Sequence, residues 1–335
     1  MANPEPKRPD LELMVQAGKP LPQSANFRTS SAPDKIFKYL TVAAALSVVA
    51  VVLLIVFELV WHSKLAISKF GFGFFTGSDW DPVSGEFGAF PFIYGTLVSS
   101  LIALIIAVPL GIGVAIFINE MCPRRLRALL SFTVELLAAI PSVIYGLWAI
   151  FVLVPFLRVH IDPFLKKSLG WTSLFTGPIY GIGMLAAGVI LSIMVVPFIS
   201  SITREVMLTV PQHQREGVLA LGATQWEMIR IGILRNARVG IVGGIMLGLG
   251  RALGETMAVT MVIGNRPEIA KSLFAPGYTM ASMIANEFTE ATGRLYLSAI
   301  IEIGLALFLL TLVVNALARL LVWMTTRGSP SRVYG

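Results

Sequence analysis

The sequence of 335 residues predicts an all-α membrane protein with six transmembrane helices. Hydrophobic residues make up 56% of the chain and charged residues only 13%, and the mean hydropathy is +0.78. A soluble globular domain is roughly 25% charged, so this composition excludes one. Six segments are also long and apolar enough to cross a bilayer core, which requires about 20 residues. The unequal distribution of Lys and Arg between the connecting segments predicts the orientation of the chain in the membrane.

The six predicted spans lie within residues 38–326, which we interpret as one transmembrane domain. Pro141 and Pro155 interrupt the third span, and because an internal proline removes a helical hydrogen bond we expect a kink or an early exit there. Residues 1–37 are polar and predict a disordered cytoplasmic tail, and residues 327–335 predict a second, short cytoplasmic tail. The spans are expected at roughly 39–61, 93–119, 128–157, 178–203, 239–263 and 296–324.

The charge distribution predicts that both termini lie in the cytoplasm. If the N-terminus is inside, the inside segments hold 17 of the 26 Lys and Arg residues and the outside segments hold eight. Lys and Arg favour cytoplasmic loops, so this bias supports an N-in, C-in topology. The net charge of +7 is therefore interpreted as a sign of topology, with the lipid bilayer as a partner and no nucleic acid expected.

Cysteine and histidine usage argues against disulfide and metal chemistry. Cys122 is the single cysteine of the chain, which excludes an intramolecular disulfide and a cysteine metal cluster. His62, His160 and His213 are isolated from one another in the sequence, so no metal site is expected.

The most unusual stretch is the glycine-rich segment 243–258, which places Arg251 and Glu255 inside an apolar span. The two residues are four apart, so on a continuous helix they would share one face. Gly244 and Gly248 precede Arg251 by seven and three residues and lie on roughly the same stripe, which predicts close helix packing. A charge in the middle of a bilayer is costly, so the pair is a functional site, a buried structural ion pair, or both.

Residues 204–238 are too polar to span the membrane and too regular in pattern for a linker. Residues 209–212 predict a capping box with Pro211 in the first turn of a helix, which ends at Gly222. Residues 224–227 predict a second capping box and a second helix. The apolar side chains of this helix–turn–helix either fit a groove on a partner or pack only on the chain's own membrane domain.

The first helix of this loop resembles the "EAA" motif of ABC importer permeases, which has a glutamate, two small residues, three further residues and then a glycine. In that family the motif forms a cytoplasmic coupling helix that docks into a cleft of the ATPase subunit. There are two departures here. The two small positions hold Gly and Val in place of alanine or a similar residue, and the Leu-Pro that usually closes the pattern is Leu234-Arg235. The resemblance assigns four residues to ATPase coupling: Glu216, Gly217, Gly222 and Ala223.

Three further stretches, 92–97, 135–146 and 243–258, resemble the C-type permease subunits of phosphate-specific ABC importers. The resemblance covers about residues 38–324. It implies the type I ABC importer permease fold with a cytoplasmic coupling helix, located in the bacterial cytoplasmic (inner) membrane. It also implies a homologous second permease subunit, a dimer of ATPase subunits and an extracytoplasmic phosphate-binding protein as partners.

The resemblance implies ATP-driven import of inorganic phosphate by a chain that is not itself an enzyme. No cofactor is expected in this chain, since ATP with Mg would be used by the ATPase partner, and the sequence has no G-x-x-x-x-G-K-[ST] phosphate-binding loop. Three alternatives stay open. They are the same role for another oxyanion such as sulphate or molybdate, a stand-alone ion-coupled carrier or channel, and a non-transporting scaffold of phosphate sensing.

For phosphate transport, Arg251 would supply the positive charge that an oxyanion needs in a low-dielectric layer, because its planar fork donates two hydrogen bonds. Glu255 would limit how tightly Arg251 holds the anion. Glu135 is a third candidate for the translocation path, since its depth differs from that of Arg251 by only about 6 Å; it either pairs with Arg251 or faces an inner vestibule. Pro141 would act as a hinge. The glycine stripe would pack against this chain or against the second permease.

Overall fold

The computed structural model describes residues 32–326, which form helices and one small hairpin. The described residues divide into two units at residues 55 and 56, and the junction lies within the first helix. The elements before the third apolar segment are α1 (Ala32–His62), α2 (Lys64–Phe70), α3 (Gly73–Thr76), the antiparallel strands β1 (Trp80–Asp81) and β2 (Glu86–Phe87), α4 (Phe90–Ile116), a π-helical turn (Phe117–Met121) and α5 (Arg124–Ala139).

The remaining helices run from the third apolar segment to the end of the described residues. They are α6 (Ser142–Leu169, with π-helical turns at Ala149–Leu153 and Leu157–Ile161), a 3₁₀ turn (Ser173–Phe175), α7 (Met184–Leu208), α8 (Gln212–Ala220), α9 (Gln225–Leu253, with a π-helical turn at Met228–Leu234), α10 (Met257–Val262), α11 (Met280–Glu287) and α12 (Arg294–Thr326).

Six helices of the described residues are long and apolar enough to cross a membrane, which confirms the predicted number. Apolar side chains are exposed along these helices, as expected for surfaces that face lipid. The chain is therefore a multi-pass membrane protein. The spans are Asp34–His62, Phe90–Met121, Ser142–Leu169, Met184–Leu208, Gln225–Leu253 and Arg294–Leu320.

The third predicted span, 128–157, is wrong in its boundaries. The helix breaks at Ile140 and Pro141, where the backbone is extended, with ψ of 130° and 139°. A proline disfavours the helical conformation of the residue before it, so one helix ends at Ala139 and the next begins at Ser142. Helix α5 is consequently a separate element, and the candidate span is α6.

The fifth predicted span, 239–263, is also displaced. Helix α9 begins at Gln225, because the second helix of the polar loop runs directly into the span. The helix then ends at Leu253, and Gly254 caps it. A glycine favours helix ends because it has no Cβ to restrict its backbone.

Two further boundaries differ from the prediction. Helix α1 begins at Ala32, so the polar tail ends before the predicted boundary at residue 37. Because α7 continues to Leu208 and α9 begins at Gln225, the loop predicted at 204–238 keeps only α8 and two short connections. The predictions for residues 1–31 and 327–335 lie outside the described residues.

Helix α7 lies at the centre of the second unit. Within its most apolar 18 residues, 61% are buried, which is the largest share among the candidate spans. The helix packs along α4 and α9. Gly188 of α7 faces Ile102 of α4 so closely that a Cβ there would lie 2.5 Å from the isoleucine side chain. Small residues allow such close approach of membrane helices, so α7 serves as the common packing partner of its neighbours.

A second core joins the hairpin to α11 and α12. The Glu287 carboxylate accepts hydrogen bonds from Trp80 Nε1 and from the Tyr296 hydroxyl, both at 2.8 Å. The Phe87 and Tyr296 rings stack at 5.5 Å between centroids. These contacts fix the segments that follow the first span and precede the last.

Candidate functional site

The glycine stripe of α9 faces α7 of the same chain. A Cβ on Gly244 would lie 2.9 Å from the Ile202 side chain, and a Cβ on Gly248 would lie 2.9 Å from Val195 and 3.0 Å from Ile199. Contacts this short leave no space for a larger residue. The close neighbour of both glycines is therefore α7, which the sequence allowed as one of two possibilities.

Arg251 lies on α9, three residues after Gly248, and its guanidinium reaches α7. The Cζ atom is 5.5 Å from the centroid of the Phe198 ring, a cation–π distance. The Nε atom is buried and has no hydrogen-bond partner among the described residues. Leaving a buried donor unpaired costs about 1–3 kcal/mol, so the unpaired Nε of Arg251 is an unusual feature for a buried group.

The prediction that Arg251 and Glu255 share one helix face is wrong. Helix α9 ends at Leu253, and Glu255 lies in the break before α10. Its Oε1 accepts a 3.4 Å hydrogen bond from the backbone N–H of Ala258 in the first turn of α10. The carboxylate thus interacts with the N-terminus of the following helix, a favourable position for a negative charge.

Glu135 lies on α5, outside the six candidate spans, and its side chain is 54% exposed. Arg204 of α7 donates to its Oε1 from Nη2 at 2.7 Å. Glu135 therefore pairs with Arg204 and not with Arg251, the partner that its predicted depth had allowed. Pro141 stands at the break between α5 and α6, as the residue that precedes α6.

The segment that resembles the coupling motif forms helix α8. Glu216 is exposed, and its Oε1 accepts a hydrogen bond from Gln212 Nε2 at 2.8 Å. Gly217 has open space where a Cβ would lie. Gly222 has a φ of +83°, which explains why a glycine follows the helix, and the half-buried Ala223 leads into α9.

Capping differs between the two helices of the loop. Pro211 itself precedes α8 and no side-chain cap is formed, so the capping box predicted at residues 209–212 is wrong. Thr224 and Glu227 form the predicted capping box before α9: the Thr224 side chain accepts from the Glu227 N–H at 3.3 Å, and Glu227 accepts from the Thr224 N–H at 2.8 Å. Leu221, 89% exposed, lies at the turn between the helices.

Two buried carboxylates were not among the predicted site residues. Glu120 lies at the end of α4 and pairs with Arg215 of α8 at 2.7 Å. Glu302, which lies on α12, is 1% exposed and its Oε2 has no partner among the described residues. An acidic residue at the end of an apolar span, next to the basic run 124–127, was the available signal for Glu120.

The fold is that of an ABC transporter membrane subunit. A crystal structure of a bacterial ABC transporter involved in the import of the acidic polysaccharide alginate superposes with a TM-score of 0.58 at 17% sequence identity, covering 88% of this chain and 98% of the other. Residues 107–323 match the family described as "Binding-protein-dependent transport system inner membrane component". The chain belongs to this family.

Relatives in several organisms carry the name "Phosphate transport system permease protein PstC". The protein from Mesorhizobium japonicum is 49% identical over 301 residues, which is 89% of this chain and 92% of the relative. The protein from Haemophilus influenzae is 46% identical over 293 residues, which is 86% of this chain and 93% of the relative. A Mycobacterium tuberculosis relative named PstC 2 is 41% identical over 309 residues, which is 90% of this chain and 95% of the relative.

Proposed function

We propose that this chain is the transmembrane permease subunit of an ATP-driven importer of inorganic phosphate, and that it forms half of the translocation pathway. The observation that carries the proposal is the 46–49% identity to phosphate transport permeases over most of the chain. The chain acts in the bacterial cytoplasmic membrane with a homologous second permease and an extracytoplasmic phosphate-binding protein. It is not an enzyme and binds no cofactor, and a separate ATPase dimer hydrolyses ATP with Mg.

Arg251 is the proposed contact for the anion. The ion carries one or two negative charges at neutral pH and loses its hydration in a low-dielectric layer, so it requires a fixed positive charge on its route. Arginine stays protonated and presents a planar fork that matches phosphate oxygens. The support is the unpartnered Nε atom and the position of the guanidinium over the Phe198 ring, both of which leave donors available.

Glu255 is proposed to limit how tightly the anion is held. Its carboxylate lies just beyond the end of α9. The hydrogen bond that it accepts from the Ala258 N–H is 3.4 Å long and therefore weak. Rotation of the backbone at Gly254 would allow the carboxylate to compete for Arg251 and release the anion. Glu135 is assigned instead to the contact between α5 and α7, since Arg204 occupies its carboxylate.

Helix α8 is proposed to dock into a cleft of the ATPase subunit. An exposed glutamate, Glu216, lies on the same short helix–turn as the exposed apolar Leu219 and Leu221. Exposed apolar side chains outside the spans are typical of surfaces that a partner covers. Gly222 makes the sharp turn that returns the chain from α8 to α9, so a movement of α8 is passed to the helix that carries Arg251.

The test is reconstitution of the complete transporter. The chain is co-purified with its ATPase and second permease, placed in proteoliposomes with the binding protein, and assayed for phosphate uptake. We expect uptake that requires ATP, that excess sulphate does not abolish, and that is absent when this chain is reconstituted alone. Uptake abolished by sulphate would reassign the anion, and ATP-independent transport by this chain alone would overturn the ABC importer assignment.

A further inference from the structure

Glu120 is a buried acceptor at the end of α4. Its side chain is 8% exposed, and its Oε1 accepts hydrogen bonds from Arg215 Nη1 and from Asn119 Nδ2, each at 2.7 Å. It lies in the π-helical turn Phe117–Met121, a geometry often found at functional positions. The carboxylate is therefore held in place by donors from its own helix end and from α8.

Arg215 connects α8 to two other helices. Its Nη1 binds Glu120, and its Nη2 donates to the backbone oxygen of Met207, in the last turn of α7, at 2.8 Å. Arg127, at the start of α5, donates to the backbone oxygen of Asn119 at 2.5 Å. Arg215 therefore joins α8 to the ends of α4 and α7, and the start of α5 is attached to Asn119, the residue next to Glu120.

Two adjacent charged residues of α8 point in different directions. Arg215 is 21% exposed and directed inward to Glu120, whereas Glu216 is exposed and bonds only within α8, to Gln212. Successive residues of a helix point about 100° apart, since a turn holds 3.6 residues. The helix thus turns one charged residue towards the membrane domain and the next towards the solvent.

Helix α8 also packs on the first part of α9, where Val218 contacts the apolar core that includes Ile229 and Ile233. None of its residues is fully buried. Its connection to α9 includes a 2.8 Å hydrogen bond from Asn236 Nδ2 to Gln214 Oε1. Along the chain α8 is joined directly to α7 and α9 but not to α4 or α5, so a displacement of α8 reaches those two helices only through non-covalent contacts such as the Glu120–Arg215 pair.

We propose that the Glu120–Arg215 pair is a positioning element that transmits movement of α8 to α4 and α5. Movement imposed on α8 by the ATPase would then reach α7 and α9 through the backbone, and α4 and the adjoining α5 through this pair. This inference rests on the proposed function, because it assumes that α8 is the helix that the ATPase moves.

The test compares uptake with ATP hydrolysis in the reconstituted complex. Glu120→Gln and Arg215→Gln should each lower phosphate uptake about tenfold, within the usual range for a coupling energy between two sites, while ATP hydrolysis stays within about twofold of the wild type. The exchanged variant Glu120→Arg/Arg215→Glu should recover a substantial part of the uptake. Glu205→Gln, the same change at an exposed carboxylate on α7, is the matched control and should leave both rates unchanged.

A chemical cross-link provides the second measurement. Glu120→Cys/Arg215→Cys in a Cys122→Ala background removes the ion pair and the only native thiol. This variant should be uncoupled, and a short bis-maleimide that joins the two cysteines should restore uptake, because the inference requires a mechanical connection and not a particular chemistry. A pair that only stabilises the fold would not regain coupling after it is cross-linked.

The outcomes separate this inference from the proposed function. Wild-type uptake in both single variants, or a parallel loss of co-purification, hydrolysis and uptake that neither the exchange nor the cross-link reverses, would overturn the transmission role. If the wild-type complex imports no phosphate, the proposed function fails instead.

Discussion

Two arginines of the same chain, Arg215 and Arg251, stand in opposite situations. Arg215 has partners for both of its terminal nitrogens, since Nη1 donates to Glu120 and Nη2 donates to the Met207 backbone oxygen. Arg251 lies over the Phe198 ring, and its buried Nε has no partner among the described residues. The first arginine joins helices to one another, and under the proposed function the second keeps its donors for the anion.

The largest effect is expected from Arg251→Gln. Removal of the charge takes away the proposed anion contact, so uptake should fall about 100-fold, which corresponds to about 3 kcal/mol and is typical of losing one partner of a desolvated charge pair. Arg251→Lys keeps the charge but loses the planar fork, so uptake should fall about tenfold. The measurement is initial phosphate uptake in proteoliposomes, with hydrolysis recorded in parallel. Normal uptake in Arg251→Gln would show that the arginine is structural or that the chain is a scaffold.

The next effect concerns the coupling helix. Glu216→Lys and Gly222→Asp should lower uptake at least about tenfold and leave membrane insertion intact, because the changes alter an exposed surface and a turn at φ of +83° outside the spans. The control is Glu58→Lys, the same charge reversal at a carboxylate that is 53% exposed near the end of α1. Wild-type uptake in both coupling variants would remove α8 from the energy pathway.

A smaller effect distinguishes two glycines of α9. Gly248→Ala would place a Cβ 2.9 Å from Val195 and should destabilise the protein by about 1–3 kcal/mol. Gly250→Ala meets nothing within 4 Å and should stabilise it by about 0.5–1 kcal/mol, since alanine favours a helix. Thermal unfolding of the isolated chain in detergent measures both. Equal melting temperatures would contradict the close contact between α9 and α7.

The smallest effect is expected from Glu135→Gln. The carboxylate is 54% exposed and its pair with Arg204 is screened by solvent, so the loss of stability should stay below about 1 kcal/mol. Uptake should remain within about twofold of the wild type, since exposed pairs contribute little. A fall in uptake comparable to that of Arg251→Gln would show that Glu135 belongs to the translocation path, as the sequence had suggested.

Local patterns in the sequence predicted several features correctly. The Thr224–Glu227 capping box needs only residues three apart, and the positive φ of Gly222 follows from the end of a short helix. The number of spans follows from hydropathy, because every apolar stretch of sufficient length has to be shielded from water. These features depend on neighbours along the chain, which the sequence contains.

The errors share a different origin. Glycine-rich and proline-containing apolar stretches are compatible with a continuous, kinked or broken helix, and hydropathy does not distinguish these. The break at Ile140 and the end of α9 at Leu253 displaced the third and fifth spans, and the second of these separated Glu255 from the helix face of Arg251. Packing of neighbouring helices decides whether such a stretch continues.

The sequence by itself determined that this is a six-span membrane protein, that a capped helical element lies between its fourth and fifth spans, and that Arg251 is a charge within an apolar helix. Only the tertiary structure decided which charged residues pair between helices: Arg204 with Glu135, and Glu120 with Arg215. The physical reason is that capping and hydropathy act between residues close in sequence. An ion pair between helices requires groups far apart in the chain to meet within about 3 Å, and the packing of the whole domain fixes that distance.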